Sequence, residues 1–169
     1  KANSFGKAAI KAGYDADVLA ASSLIGKNEN GQNYDKFKDR TIFPIHSYTG
    51  KVIGFGGRAF NPNAKSKYLN SGETLIYDKS KVLYGLNLSK QAIRKANKCF
   101  IVEGYTDVIS MHQNGVENVV SASGTALGPQ QIQLIKRSTN NVTLLFDGDK
   151  AGIKATLRSI DLCLKAEMN

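Results

Sequence analysis

The sequence predicts an α/β chain in two parts. A mixed, basic α+β subdomain occupies residues 1–95, and a parallel sheet covered by helices follows over residues 96–169. Three observations carry this reading. After Lys98, short apolar runs alternate three times with helical stretches. Before it, helical patterns give way to a strand–turn–strand pattern. The net charge of +9 is also uneven: residues 1–95 hold 16 Lys and Arg against 7 Asp and Glu, whereas residues 96–169 hold 7 against 7. Such asymmetry suggests a surface that meets a polyanion beside a chemically different module. A merely solvated basic surface is the plainer explanation of the charge.

Helices are expected at Ala8 to Lys11 and at Asp15 to Ile25, with Asp15 placed to cap the second. Asn28 to Asn33 is a polar loop. Arg40-Thr41-Ile42-Phe43-Pro44-Ile45 and Lys51-Val52-Ile53-Gly54-Phe55 flank Tyr48-Thr49-Gly50, a hairpin pattern with glycine at the turn. Gly54, Gly56 and Gly57 imply a bulge or a close backbone approach. A loop through Asn61-Pro62-Asn63 reaches Lys67-Tyr68-Leu69-Asn70-Ser71, and a helix runs from about Leu88 to Lys95.

The strands of the second part are Cys99 to Val102, Val116 to Ser121 and Val142 to Phe146. The helices between and after them are Thr106 to Gln113, Pro129 to Lys136 with proline in its first turn, and Ala151 to Ala166.

Composition excludes several classes. Apolar residues make up 41% of the chain, enough for a packed core. No apolar run approaches the ~20 residues of a membrane span, and no signal-peptide pattern is present, so no membrane partner is expected. Cys99 and Cys163 stand apart without a neighbouring histidine, which argues against a zinc site in this chain and fits a reducing, cytoplasmic setting. His46 and His112 read as packing or surface residues. The ends lack terminal design, so the chain reads as a piece of a longer protein.

In an open parallel sheet the ligand lies beyond the carboxyl ends of the strands. The three strands end in Glu103, in Ser121-Ala122-Ser123-Gly124-Thr125, and in Asp147-Gly148-Asp149. Adjacent strands are ~4.8 Å apart, so acids on neighbouring ends can share a hard cation. Gly104 and Gly148 leave room for a ligand. Asp107, one helical turn after Glu103, can face the same site, or can serve simply as a favourable charge in the first turn of its helix.

An apolar strand followed by Glu-Gly, with a later apolar strand followed by Asp-Gly-Asp, resembles the Toprim domain of bacterial primases, type IA and type II topoisomerases and some repair proteins. The preceding half narrows the resemblance. Arg40 to Ile45, Val52 to Arg58, Lys67 to Ser71 and Leu83-Tyr84-Gly85-Leu86 resemble successive motifs of the bacterial replicative DNA primase catalytic core. They stand in that family's order, ahead of Glu103-Gly104-Tyr105-Thr106-Asp107-Val108 and Asp147 to Gly152.

That resemblance implies a Rossmann-like Toprim fold after the basic subdomain. It implies a DNA-directed RNA polymerase of the primase type, making short RNA primers on single-stranded DNA from ribonucleoside triphosphates for replication. Glu103, Asp147 and Asp149 would hold Mg²⁺ or Mn²⁺ as catalytic acids, with Asp107 supporting. Arg58 and Lys67 resemble residues that engage nucleotide phosphates and template; Arg40, Asn70 and Lys79 are further members. By the same resemblance, zinc belongs to another module of the parent protein. The replicative helicase is met through a region absent here. The Toprim domain is expected to continue into a strand with a further acidic pair, so the fragment alone is expected to be weakly active or inactive.

Two other readings follow from the same residues. Asp147 and Asp149 resemble the nucleophile and acid of haloacid-dehalogenase-like phosphohydrolases, although Ala151 stands where those usually carry Thr or Val. The basic half alone would fit a non-catalytic nucleic-acid-binding module. A Toprim topoisomerase leaves residues 40–86 without a role.

Overall fold

The computed structural model describes residues 3–124 and 126–169. They form two compact units. One takes the described residues up to Ile45 together with Ile53–Asp78; the other takes His46–Val52 with Lys79–Asn169. Packing therefore divides the chain elsewhere than the change in charge does.

The first unit opens with α1 (Ser4–Lys11) and α2 (Ala16–Ala21). The Asp15 carboxylate caps α2, accepting the N–H of Asp17 at 2.7 Å and of Val18 at 3.2 Å. This helix ends earlier than expected. Ser22 closes it, Ser23 takes a left-handed φ of 63°, and Ile25–Lys27 becomes strand β1. β1 pairs antiparallel with β2 (Asn33–Asp35), and the Tyr34 ring lies where a Cβ on Gly26 would stand. The helical periodicity of residues 15–25 thus gives way to a strand that buries Ile25.

The hairpin is formed by β3 (Arg40–His46) and β4 (Val52–Ala59), and Gly50 supplies the left-handed φ of 91° at its turn. β4 continues through the glycines to pair antiparallel with β5 (Tyr68–Asn70), giving the order β3-β4-β5. Close approach explains two of those glycines. A Cβ on Gly57 would lie 2.9 Å from the Phe37 ring, and one on Gly54 would lie 3.1 Å from Tyr77. Burial and the nearby Glu73 carboxylate push the Tyr77 hydroxyl up to about 12.

The second unit holds a parallel sheet of β6 (Cys99–Val102), β7 (Val119–Ser121) and β8 (Val142–Leu145) in the order β7-β6-β8. Register is fixed by Ile101 opposite Val120 on one side and Leu144 on the other. A 3₁₀ turn (Lys79–Lys81) and α3 (Leu86–Ala96) precede the sheet. The connecting helices are α4 (Tyr105–Gln113) and α5 (Pro129–Lys136), and α6 (Lys150–Lys165) follows β8.

Alternation along β6 builds two apolar layers. Cys99 and Ile101 join Ile132 and Ile135 of α5 and Cys163 of α6. Val102, with Phe100 packed beside it, joins Val108 of α4 and Val119. Each fully buried isoleucine of the first layer contributes roughly 1.5–3 kcal/mol. Cys99 is wholly buried, which pushes its thiol up to about 12. The hairpin tip packs on α3, where the Lys90 ammonium donates to Tyr48 O at 3.0 Å and lies 4.7 Å from the Tyr48 ring centre. No helix among the described residues is long and apolar enough to cross a membrane.

Candidate metal and nucleotide site

The parallel sheet reverses direction at β6. The chain runs from β6 outward to β7, then crosses back past β6 to reach β8. Right-handed crossovers in opposite directions put their helices on opposite faces, and the two apolar layers agree with this. The carboxyl ends of β6 and β8 therefore form a topological switch point, where helices diverge and leave a crevice. Glu103 follows β6 and Asp147 follows β8, so both acids stand at that point.

The two strand ends are joined directly. The Asp147 backbone N–H donates to Glu103 Oε1 at 2.9 Å, which leaves Oε2 of the half-buried Glu103 available. Gly152 closes the arrangement: a Cβ there would lie 2.1 Å from Asp147 O and 2.9 Å from Glu103 Oε1. The first turn of α6 thus rests on the crossing, a place that only glycine fills.

The other acids have local tasks. Asp149 caps α6 by accepting the Gly152 N–H at 2.8 Å. Asp107 reaches back within α4 to accept the Gly104 N–H at 2.9 Å. Both, like Asp147, are exposed. A cleft of about 430 Å³ opens at this edge, bounded by Glu103, Ala122, Gly124, Phe146, Asp149 and the α6 residues Gly152, Lys154, Arg158 and Ser159. Asp147 and Asp107 do not line it. Thr125, at the end of the second strand run, lies outside the described residues.

Glu103, Asp147 and Asp149 are thus brought to one edge, while among the described residues no three His, Cys, Asp or Glu side chains close in as a metal cage. The donor set nevertheless suits a hard divalent cation. It offers carboxylate oxygens, one of them held in place by Asp147, and open space beside Gly148.

The basic candidates separate by face in the first unit. In the β4–β5 register Arg58 lies opposite Tyr68 and Gly56 opposite Asn70, so Arg58, Tyr68 and Asn70 share one face. The exposed Arg58 guanidinium stands 5.8 Å from the Tyr68 ring centre. Arg40 lies on the other face beside Gly57 and is committed to backbone: it donates to Gly57 O at 3.2 Å, Lys67 O at 3.4 Å and Ser66 O at 3.0 Å. Lys67 is exposed just before β5. Lys79 belongs to the second unit, in the 3₁₀ turn.

Three residues of this edge escaped the sequence reading. Gly152 carried a signal, because glycine in the first turn of a helix costs roughly 1 kcal/mol against alanine and wants a reason. Lys154 and Arg158 carried another in their spacing of four, which sets them on one helical face.

Residues 1–90 match the family described as the N-terminal domain of the DNA primase catalytic core, and residues 100–169 match the Toprim-like family. A DNA primase of Synechococcus elongatus is 43% identical over 150 residues, covering 87% of this chain and 22% of that protein. A crystal structure of a DNA primase domain from Pseudomonas aeruginosa superposes with a TM-score of 0.87 at 36% identity, over 97% of this chain and 51% of that one. A DnaG primase catalytic domain bound to single-stranded DNA superposes with a TM-score of 0.83 at 36% identity, over 97% and 51%. The chain spans about a quarter or less of the curated relatives it matches. With one family match over more than half its length and the Toprim-like match over the remainder, the chain belongs to the bacterial DnaG-type DNA primases, within their catalytic core.

Proposed function

We propose that this segment is the nucleotidyl-transfer core of a primase, which synthesises RNA primers on single-stranded DNA from ribonucleoside triphosphates. The observation that supports it most is the meeting of Glu103 with the Asp147 backbone at the switch point of the parallel sheet. In the reaction the 3′-hydroxyl of the growing RNA attacks the α-phosphate of the incoming nucleotide, and pyrophosphate leaves.

Glu103, Asp147 and Asp149 would hold a magnesium or manganese ion. That ion would supply charge neutralisation and activation of the attacking hydroxyl. Glu103 is kept in place by the Asp147 N–H, and Asp149 by its cap on α6. Asp107 supports the site by fixing the turn at Gly104, next to Glu103.

Arg58 and Asn70, on one face of the β4–β5 pair, would contact nucleotide and template phosphates, with Lys67 beside them. A guanidinium suits bidentate phosphate contact and an ammonium a point charge. Arg40 serves this surface by tying β4 to the approach of β5. Lys79 would add a further phosphate contact. The single-stranded DNA bound by a solved relative supports a template role for the basic half. A replicative helicase would be met through another part of the whole protein, and this segment alone would make little primer.

The test is Glu103→Gln in a primase that carries this segment. The amide oxygen can still accept the Asp147 N–H, so folding is kept while the carboxylate charge is lost. Primer synthesis on single-stranded DNA falls by roughly 100-fold or more. Unreduced RNA yield would remove Glu103 from the site.

A further inference from the structure

The cleft at the carboxyl edge of the parallel sheet carries charge of both signs, and the two signs are segregated. Glu103 and Asp149 bound it where β6 ends and α6 begins. Lys154 and Arg158 bound it farther along α6. The facing wall is made of small neutral residues, Ala122, Gly124 and Ala126.

Helical geometry places Lys154 and Arg158 about 7 and 13 Å along the α6 axis from Asp149. Side chains on a helix lean toward its N-terminus, so both cationic heads are carried back toward the acids. Both residues are exposed, and neither forms a hydrogen bond or ion pair with a described side chain. Arg158 does not pair even with Asp161, three residues on. Like charges four residues apart repel and weaken a helix. An anion in the cleft would remove that repulsion.

The polarity of the cleft selects the anion. An extended polyphosphate, its one end met by a cation on Glu103 and Asp149, would present its remaining charge to Lys154 and Arg158. A single phosphate could not span both ends. We infer that Lys154 and Arg158 form a polyphosphate subsite that binds the leaving end of the nucleoside triphosphate and the pyrophosphate it becomes. The inference rests on the reading of this edge as the nucleotide site.

Calorimetric titration of this chain with inorganic pyrophosphate, with and without Mg²⁺, tests the subsite. The double variant Lys154→Ala, Arg158→Ala weakens pyrophosphate binding by about tenfold or more, because two charge-assisted contacts are lost. Arg158→Lys weakens it less. Binding of a twelve-residue thymidine oligonucleotide stays within about twofold, since the template surface lies elsewhere. Circular dichroism of these exposed-site variants stays that of the parent.

Unchanged pyrophosphate affinity in the double variant overturns the subsite, as does absence of pyrophosphate binding by the parent chain. An equal loss of oligonucleotide binding also overturns it, assigning both residues to a nucleic-acid backbone. Glu103→Gln separates the two levels. If Mg²⁺ still strengthens pyrophosphate binding in that variant, the acid-edge reading fails, whatever Lys154 and Arg158 do.

Discussion

The backbone N–H of Asp147 donates to Glu103 Oε1 at 2.9 Å, joining residues 44 apart in sequence at the ends of β6 and β8. Both belong to a motif of their own, Glu-Gly after one strand and Asp-Gly-Asp after another. The bond makes one site of the two. It also fixes which Glu103 oxygen faces the protein and which faces the cleft. Charge at the edge is thereby tied to the position of the α6 N-terminus, and substitutions there have effects that can be separated.

Gly152→Ala tests the tie sterically. Its Cβ would meet Asp147 O at 2.1 Å and Glu103 Oε1 at 2.9 Å, so α6 must shift away from the crossing. The expected cost is roughly 1–3 kcal/mol of stability, with loss of primer synthesis even where the fold survives. Thermal denaturation together with a synthesis assay checks it. Unaltered stability would mean that the first turn of α6 has freedom the structure does not show.

Asp149 has two roles that two variants distinguish. Asp149→Asn keeps a cap for the Gly152 N–H and loses the charge; Asp149→Ala loses both. The alanine variant is destabilised by about 1 kcal/mol and the asparagine variant by much less. Both lose primer synthesis. Full activity in Asp149→Asn would leave this residue a helix cap and nothing more.

Much of this was legible in the sequence, and the limits have physical causes. α5 spans Pro129–Lys136 as read, because proline marks its start and Ile132 and Ile135 mark its buried face. Asp15 and the Gly50 turn were legible for the same local reasons. β1 was not: Ala16 to Ile25 has a helical pattern, and only pairing with Asn33–Asp35 makes its last residues a strand. The acids were legible as strand ends, but their partners are backbone groups, and no side-chain pattern announces those. Arg40 was read as a phosphate ligand, whereas its guanidinium is spent on carbonyls of Gly57, Ser66 and Lys67, acceptors that every residue carries.

The basic half makes a prediction about salt. If Arg58 and Lys67 each meet one phosphate, affinity for single-stranded DNA falls with salt along a log–log line. Each alanine variant flattens that slope by about 0.7. Asp149→Asn leaves the slope unchanged or strengthens binding, because it removes negative charge. Fluorescence anisotropy across a salt series measures all three. Unchanged slopes for Arg58→Ala and Lys67→Ala would make both residues solvated surface charges.

The central claim is that the joined ends of β6 and β8 form a site for a hard cation, and a crystal of this chain soaked in Mn²⁺ tests it most directly. The anomalous map should show manganese within coordination distance, ~2.0–2.4 Å, of Glu103 and of Asp147 or Asp149. That peak should vanish in Glu103→Gln crystals grown and soaked the same way. A peak that persists in that variant, or manganese bound only away from this edge, would contradict it.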